Sequence, residues 1–350
     1  MAARPGSVRL SRARLGLRIA ILGAGSIGCF VGGCWQAAGL PVTFIGRPGF
    51  AKDIAAHGLT LSDYGGWTAT IGPTEIDYRC EPDALAEADV IALCTKSGAT
   101  ADAARQIAAR GTAGATVISL QNGISNVDVL DRELGDRFRV LRGMVSYNVA
   151  YLGEGRFHKG VAGELWAEDR PETRTLSASI GSSPASLKLS SDMLGVAWGK
   201  LLINLNNAVN ALSGRTLIEQ LSERDYRRVV AASMREGLGL LDRAGIKPAK
   251  VGPVPPHLLP AVIGSPDWLF NNLFLKLQKI DARARSSMAD DLAVGRTTEV
   301  DYLNGELVRL AGNLGADAPV NRKVVELIRQ AESGAPPLPP ADLRREVLGR

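Results

Sequence analysis

A lysine and two asparagines stand at helical spacing in an apolar segment of the chain, residues 198–214. At about 100° per residue, Lys200, Asn204 and Asn207 fall on one side of a helix predicted over residues 192–212. The segment contains no acidic residue that could neutralise the lysine. Burying an ammonium group is costly, and burial also lowers a lysine pKa toward the range used in acid and base catalysis. Alternatively, Lys200 reaches water and the asparagines pack against a neighbouring domain.

A glycine-rich turn near the amino terminus predicts a dinucleotide site. A strand-like run at 18–22 leads into the turn, and a helical segment follows as far as Gly39. In the order strand, G-x-G-x-x-G, helix, the first glycine permits the bend, the second admits a pyrophosphate and the third allows close packing. The helix N-terminus then offers N–H groups to phosphates. The predicted cofactor-binding residues are Gly23, Ala24, Gly25, Ser26, Ile27 and Gly28.

The residue after the second predicted strand indicates which dinucleotide is bound. Proteins selective for NAD usually carry Asp or Glu there, whereas this chain has Arg47 after the run 41–45. A guanidinium can bind the oxygens of a ribose 2′-phosphate, so we expect NADP(H). A solvated surface arginine is the alternative.

Two further apolar runs, residues 88–94 and 115–120, predict buried parallel strands that lead to Lys96 and Asn122. Ligands of such sheets bind outside the carboxyl ends of the strands. We therefore expect Lys96 and Asn122 to lie where nicotinamide and substrate meet. A surface lysine and an ordinary Asn-Gly turn remain alternatives.

Polar residues also cluster in the stretch 283–305, which contains Ser287 and Glu299. Thr298 and Asp301 have the spacing of a capping box, which predicts Glu299 in the first turn of a helix. A carboxylate is stabilised at that position, so Glu299 has a structural explanation as well as a catalytic one. Ser287 could likewise cap a helix.

Length and pattern predict the fold class α/β, with a Rossmann-type N-terminal dinucleotide-binding domain followed by an all-α C-terminal domain. The 350 residues divide into a basic leader at 1–17, expected to be disordered, and an NADP-binding domain at 18–190. A helical substrate and catalytic domain follows at 191–333. Residues 334–350 are predicted as an extended tail in which a short charged helix could form.

Charge and cysteine usage narrow the functional classes. The net charge is +5, but five of the 41 basic residues lie in residues 1–18, so the remaining 36 equal the 36 acidic residues. A nucleic-acid partner is therefore not expected, nor is a membrane span, because no apolar run approaches about 20 residues. The four cysteines lack the spacing of a metal site or a disulfide framework. We expect a cytoplasmic protein without a metal; the arginine-rich start leaves organelle targeting as an alternative.

From residue 18 to about residue 332, the chain resembles the ketopantoate reductase (2-dehydropantoate 2-reductase) family. The resemblance rests on the glycine turn, Arg47, Lys96, the sequence Gln-Asn-Gly at 121–123, Trp-Gly-Lys-Leu at 198–201 with Asn204, and the stretch from Ser286 to Gly305. It implies an NADP-dependent oxidoreductase of pantothenate biosynthesis that reduces ketopantoate to pantoate.

The resemblance also implies roles for individual residues. Lys200 matches the general acid that protonates the ketone, and Glu299 matches a glutamate close to that lysine, the substrate and the cofactor. Asn204 and Ser287 match residues that hold the substrate, while Asn122 and Lys96 would line the nicotinamide side. Asn122 is also a candidate substrate ligand.

The chain departs from the family pattern where a second substrate-binding asparagine is common, because Ala208 stands there. Asn207 is on the same predicted face and is the candidate replacement. Ala284 likewise replaces a position that is often polar. The substrate could therefore be a different 2-keto acid, and a nonenzymatic NADPH-binding sensor is a further alternative. A homodimer is left open.

Overall fold

The computed structural model describes residues 16–277, 280–281 and 283–349. Nearly all of the predicted leader, residues 1–15, lies outside the described residues. No helix in the described part is both long and apolar enough to cross a membrane.

The amino-terminal half is built on an eight-stranded sheet of order β12-β11-β8-β7-β6-β1-β2-β5. Strands β5, β2, β1, β6, β7 and β8 are parallel, so the carboxyl ends of β7, β6, β1 and β2 lie side by side at one edge. A smaller sheet has the order β4-β3-β10-β9. The strands are β1 (Ile19–Leu22), β2 (Val42–Ile45), β3 (Leu59–Asp63), β4 (Thr68–Ile71), β5 (Asp77–Arg79), β6 (Val90–Leu93), β7 (Thr116–Ser119), β8 (Arg139–Val145), β9 (Val149–Tyr151), β10 (Arg156–Lys159), β11 (Leu165–Glu168) and β12 (Leu187–Ser190).

Helices cover the sheet and make up the described elements beyond residue 192. A π-helical turn, Phe270–Phe274, interrupts one of the later segments. The helices are α1 (Ser26–Ala37), α2 (Pro48–His57), α3 (Thr100–Arg110), α4 (Asn126–Leu134), α5 (Pro171–Ile180), α6 (Met193–Asn204), α7 (Asn206–Ser213), α8 (Leu217–Ser222), α9 (Arg224–Arg243), α10 (Leu259–Ile263), α11 (Asp267–Leu269), α12 (Leu275–Leu277), α13 (Ser287–Ala293), α14 (Asn304–Asn313), α15 (Pro319–Glu332) and α16 (Pro340–Leu348).

Strands β1, β6 and β7 are buried along their whole length because apolar side chains pack on both faces of the sheet. This explains why they appear in the sequence as continuous apolar runs rather than alternating ones. A third apolar core lies among the helices of the carboxyl-terminal half. The predicted fold class, a Rossmann-type domain followed by an all-α domain, is confirmed.

The helix predicted over residues 192–212 is two helices, α6 and α7, which meet at Leu205. Helix α6 is capped by the Asp192 side chain, which accepts a hydrogen bond from the Gly195 N–H at 2.9 Å. The chain around Ala249 packs directly on this helix, since a Cβ at Gly199 would lie 2.1 Å from the Ala249 carbonyl oxygen. The glycine preceding Lys200 therefore permits a close backbone approach.

Within the predicted tail, residues 334–350, α16 is the short charged helix that the sequence leaves possible there. Leu343 is buried in the helical core, and α16 packs against α9. The Tyr226 hydroxyl donates to the Leu338 carbonyl at 2.7 Å and fixes the approach to this helix. Burial of an apolar side chain stabilises a helix that local sequence alone leaves marginal.

Replacing Gly199 with alanine tests the close approach behind the lysine. The added methyl group would force the backbone near Ala249 to shift, so we expect Gly199→Ala to destabilise the fold by about 1–3 kcal/mol. Gly239, an exposed position in α9 with open space around it, is the matched control, and Gly239→Ala should be neutral or stabilising by up to about 1 kcal/mol. Thermal unfolding measures both; equal midpoints for the two variants would contradict this packing.

Candidate active site

The glycine turn between β1 and α1 has three distinct local environments. Gly23 has φ +100°, and a Cβ there would lie 2.5 Å from the Thr95 backbone nitrogen. A Cβ at Gly28 would lie 2.5 Å from the Gly23 carbonyl oxygen, so only glycine lets the helix approach the strand this closely. At Gly25 a Cβ would meet no atom within 4 Å. The open side of the turn is thus at the middle glycine, where a pyrophosphate would approach.

Backbone donors at the start of α1 face this open side. Ala24 donates to the Ile45 carbonyl at 2.9 Å, which ties the turn to β2. The N–H groups of Ser26, Ile27 and Gly28 donate to no backbone or side-chain acceptor in the described ranges. Unpaired N–H groups at a helix N-terminus suit a phosphate.

Arg47 lies at the carboxyl end of β2, directly before α2. The side chain is exposed, and its guanidinium forms no ion pair or hydrogen bond within the described residues. The Tyr78 hydroxyl lies 3.2 Å from the Ala24 carbonyl and 3.3 Å from that of Arg47, so it joins the glycine turn to the end of β2. The position is open to an anionic ligand.

The Glu299 carboxylate joins the helical half to the carboxyl ends of β6 and β7. Its Oε1 accepts hydrogen bonds from the backbone N–H and the hydroxyl of Ser97, both at 2.9 Å. Its Oε2 accepts from the Asn122 amide at 3.1 Å. The sequence analysis placed Glu299 in the first turn of an α-helix, which is wrong. Glu299 precedes a single 3₁₀ turn, Val300–Tyr302, and α14 begins only after it.

The expected capping box between Thr298 and Asp301 does not form either. The Thr298 hydroxyl accepts from the Val300 N–H at 3.3 Å, two residues along the chain. Asp301 instead pairs with Arg329 at 2.8 Å. A long-range partner has displaced the local one, and the chain turns before it becomes helical.

A buried polar network holds Ser97 and Asn122 in place. The Thr100 hydroxyl lies 2.8 Å from both the Ser97 carbonyl and the Asn126 side-chain oxygen. The Asn126 amide in turn donates to the Asn122 carbonyl. Gln121 is also buried, and its amide donates to the Thr100 hydroxyl at 2.9 Å. The network fixes Ser97 and Asn122, the two residues that donate hydrogen bonds to Glu299.

The glycine after Asn122 has a separate function. Gly123 has φ +92°, and a Cβ there would lie 2.9 Å from the Tyr302 carbonyl oxygen. The sequence Gln-Asn-Gly thus supplies a buried amide, a donor to Glu299 and a close contact with the helical half.

Lys96 forms an ion pair with Asp291 of α13. The lysine side chain is half exposed, at 51%, whereas that of Asp291 is 11% exposed. Asp291 therefore provides a second connection between the end of β6 and the helical half.

Helix α13 is also docked on α7, the helix that follows the lysine. The Ser286 hydroxyl donates to the Asn207 carbonyl at 3.0 Å, and its N–H donates to the Asn210 side chain at 2.9 Å. Ser286 caps α13, which leaves the adjacent Ser287 exposed. The lysine-bearing segment, Ser287 and Asp291 are thus linked through a single short helix.

The Lys200 ammonium has no ion-pair or hydrogen-bond partner among the described residues. It lies on α6, which packs against β8 and β11 of the nucleotide-binding half. Part of the residue reaches water, yet burial lowers the pKa of its ammonium to about 8. Among the described residues no carboxylate lies within 4 Å, so the expected pairing of Lys200 with Glu299 is absent.

The asparagines near Lys200 differ in their surroundings. Asn204 is buried, and its side chain has no hydrogen-bond partner in the described part of the chain. Asn207 is half-buried, and its backbone carbonyl accepts a hydrogen bond from the Ser286 hydroxyl. Ala208 is fully buried in the helical core, while Ala284 is half-buried. Asn207 is thus more accessible than position 208.

Two family models match the chain over most of its length. The model of the family "Ketopantoate reductase PanE/ApbA" matches residues 19–172, and the model "Ketopantoate reductase PanE/ApbA C terminal" matches residues 192–332. The chain belongs to the ketopantoate reductase family.

Similar proteins match this chain over nearly their whole length. A 2-dehydropantoate 2-reductase from Archaeoglobus fulgidus is 27% identical over 328 residues, covering 91% of this chain and 98% of the relative. The crystal structure of a PanE/ApbA family ketopantoate reductase from Ralstonia eutropha JMP134 is 29% identical, with a TM-score of 0.76 over 90% of this chain and 98% of that one. A ternary structure of D-mandelate dehydrogenase with NADH and anilino(oxo)acetate shares the fold, at 20% identity and a TM-score of 0.71 over 90% and 98% of the two chains.

The predicted family and the prediction of an oxidoreductase are confirmed by these similarities. A nonenzymatic sensor is correspondingly disfavoured. The family is one of pyridine-nucleotide-dependent reductases.

The sequence analysis missed two residues that organise the site of this family member. Ser97, directly after Lys96, is fully buried, and its N–H and hydroxyl both lie 2.9 Å from Glu299 Oε1. The hydroxyl is also 2.8 Å from the Asn122 carbonyl oxygen. Glu306 is also buried, and it accepts from the Ile124 and Ser125 N–H groups at 3.2 and 3.0 Å, capping α4 from the other half of the molecule. No local pattern in the sequence indicates Glu306, because its partners Ile124 and Ser125 lie 182 and 181 positions away in the chain.

Alanine substitutions in the glycine turn separate cofactor binding from folding. Gly25→Ala adds a methyl group to open space, so we expect unchanged thermal stability but at least about 10-fold weaker dinucleotide binding. Gly28→Ala places the methyl group against the Gly23 carbonyl and should destabilise the fold. Calorimetric titration with NADPH and thermal unfolding distinguish the two effects. Wild-type affinity in Gly25→Ala would show that no phosphate approaches this glycine.

Proposed function

We propose that the protein catalyses NADPH-dependent reduction of 2-dehydropantoate to pantoate, with Lys200 as the general acid. The observation that carries this proposal is the unpaired, partly buried Lys200 ammonium with a pKa of about 8. Family membership and the assignment of relatives such as the Archaeoglobus fulgidus enzyme support the reaction class.

The charges around Lys200 suit proton donation. An ammonium with a pKa of about 8 is mostly protonated at pH 7 and releases its proton more readily than an ordinary lysine. The Glu299 carboxylate accepts hydrogen bonds from the neutral residues Ser97 and Asn122, and Asp291 forms an ion pair with Lys96. Both acids are held by other groups, and neither forms an ion pair with Lys200.

The residues near the glycine turn fit a bound NADPH. Gly25 leaves space for the pyrophosphate, the α1 N-terminus offers donors, and Arg47 would bind the 2′-phosphate. When bound, the cofactor supplies a hydride to the carbonyl carbon. Lys200 would transfer its proton to the carbonyl oxygen, which yields a secondary alcohol and a neutral lysine amine. Glu299 and Lys96 would lie along the nicotinamide side of the same groove.

Substrate orientation is assigned to the polar side chains around the lysine. Asn204, Ser287 and Asn207 would bind the carboxylate and hydroxyl groups of the keto acid, and Asn122 lies at the cofactor end of this set. Because Ala208 is buried and apolar, this lining has fewer polar groups than the family pattern. Reduction of a different 2-keto acid is therefore the second candidate, and a panel of 2-keto acids belongs in the test. A place in pantothenate biosynthesis, a cytoplasmic location and a homodimer remain predictions.

Steady-state reduction of 2-dehydropantoate tests the proposal directly. We expect turnover with NADPH at a higher kcat/KM than with NADH. Lys200→Met should lower kcat by about 10²–10⁴-fold, because the general acid is lost, while removal of a partly buried charge leaves the fold equally or more stable. The control is Lys188→Met, which removes an exposed lysine on the edge strand β12. Turnover of another keto acid with 2-dehydropantoate inert would reassign the substrate, and full activity in Lys200→Met would remove the lysine from the mechanism.

The pH dependence provides an independent test of the same lysine. Reduction requires the protonated amine, so kcat/KM for the keto acid should be constant below pH 8 and decline as pH rises past it. Oxidation of the alcohol requires the neutral amine and should rise through the same range. A lysine with an ordinary pKa would place both changes near pH 10.4. Profiles that stay flat to pH 10 in both directions would contradict the assignment.

A further inference from the structure

A cavity of about 300 Å³ lies at the carboxyl end of β2 and joins the two halves of the molecule. The turn after β2, helix α2 and strand β9 form most of the wall, and the segment following α13 supplies one side chain. The lining residues are Arg47, Gly49, Phe50, Asp53, Tyr151 and Arg296.

Two guanidinium groups line this cavity from opposite halves. Arg47 and Arg296 are both exposed, and neither guanidinium forms an ion pair or hydrogen bond with another described residue. Asp53 is the one acid in the lining, so the cavity carries a net positive charge. Two arginines directed at a small space repel each other unless an anion lies between them. A phosphomonoester carries up to two negative charges and three acceptor oxygens, so it can accept hydrogen bonds from both guanidinium groups.

The position of Arg296 is set by its own segment of chain. Asp291 pairs with Lys96 at one end of the segment, and Glu299 binds Ser97 at the other. Between them, the Arg296 N–H donates to the Asp291 carbonyl at 2.9 Å, closing a turn at the end of α13. The guanidinium is thus carried by a segment attached to the nucleotide-binding half on both sides.

The strand order relates this segment to the length of a dinucleotide. Lys96 and Ser97 follow β6, Arg47 follows β2, and β1 with its glycine turn lies between them. Neighbouring strands are about 4.8 Å apart, so these two strand ends are separated by about 10 Å. The segment 291–299 therefore extends from the nicotinamide end of the groove toward its adenosine end.

We propose that Arg296 is a second ligand of the cofactor 2′-phosphate and a determinant of NADPH selectivity. This rests on the proposed NADPH dependence. Arg47 binds the phosphate from the nucleotide-binding half and Arg296 from the helical half. Because Asp291 and Glu299 belong to the same segment, binding of the phosphate by Arg296 stabilises the contacts that close the groove over the nicotinamide.

Affinities for NADPH and NADH, measured by calorimetry, test this role. In Arg296→Ala, we expect NADPH binding to weaken about 10–100-fold and NADH binding to change by less than about 3-fold, since only the 2′-phosphate loses a ligand. The NADPH affinity of Arg296→Lys should lie between those of the wild type and Arg296→Ala, because lysine keeps the positive charge but cannot form two parallel hydrogen bonds to the phosphate. The cofactor fragments should behave in the same way: Arg296→Ala should weaken binding of 2′,5′-ADP and leave binding of 5′-ADP nearly unchanged. Arg243→Ala, which removes an exposed arginine from the end of α9, controls for net charge.

The outcomes separate this inference from the proposal on which it rests. If the wild-type protein binds NADH as tightly as NADPH, the NADPH dependence itself fails. If the wild-type protein prefers NADPH and Arg47→Ala abolishes the preference while Arg296→Ala keeps it, the role of Arg296 is overturned. Equal losses for both cofactors in Arg296→Ala would also overturn it, because they would assign Arg296 to a shared part of the dinucleotide. Thermal unfolding of each variant confirms that the fold is intact.

Discussion

The hydrogen bonds that Glu299 accepts from Ser97 and Asn122 connect the two halves of the protein at the point where chemistry is expected. Ser97 and Asn122 follow neighbouring parallel strands, whose carboxyl ends lie together for topological reasons. Because Glu299 is held by Ser97 and Asp291 is paired with Lys96, the segment between these two acids is attached to the nucleotide-binding half at both ends. Helix α13, which contains Asp291, packs against α7.

This connection also determines the electrostatics of the groove. The carboxylates of Glu299 and Asp291 are bound to groups of the nucleotide-binding half. Lys200 forms no ion pair with a carboxylate among the described residues, and burial lowers its pKa to about 8. Retaining such a charge opposes folding, which is common where a side chain serves catalysis. The chain around Ala249 packs closely on the same helix at Gly199, next to the lysine.

Much of the architecture could be predicted from sequence because it depends on local patterns. The glycine turn, the buried strands leading to Lys96 and Asn122, and the helical second half all follow from periodicity and turn chemistry. The partners of Glu299 could not be predicted, because Ser97 is 202 positions away in the chain. The same holds for Asp291, because its partner Lys96 lies 195 positions away in the chain. The helix α16 forms through burial of Leu343 in a core assembled from distant segments.

Our proposal for catalysis depends on Lys200 being an unpaired ammonium with a pKa suited to proton transfer near neutral pH. Its titration can be observed directly by labelling the lysine ε-carbons with ¹³C and following their chemical shifts against pH, with Lys200→Met identifying the signal. We predict that this signal changes with a midpoint near pH 8, well below the midpoints of the exposed lysines. A midpoint near the ordinary lysine value of about 10.4 would contradict it, because Lys200 would then be a solvated lysine like any other.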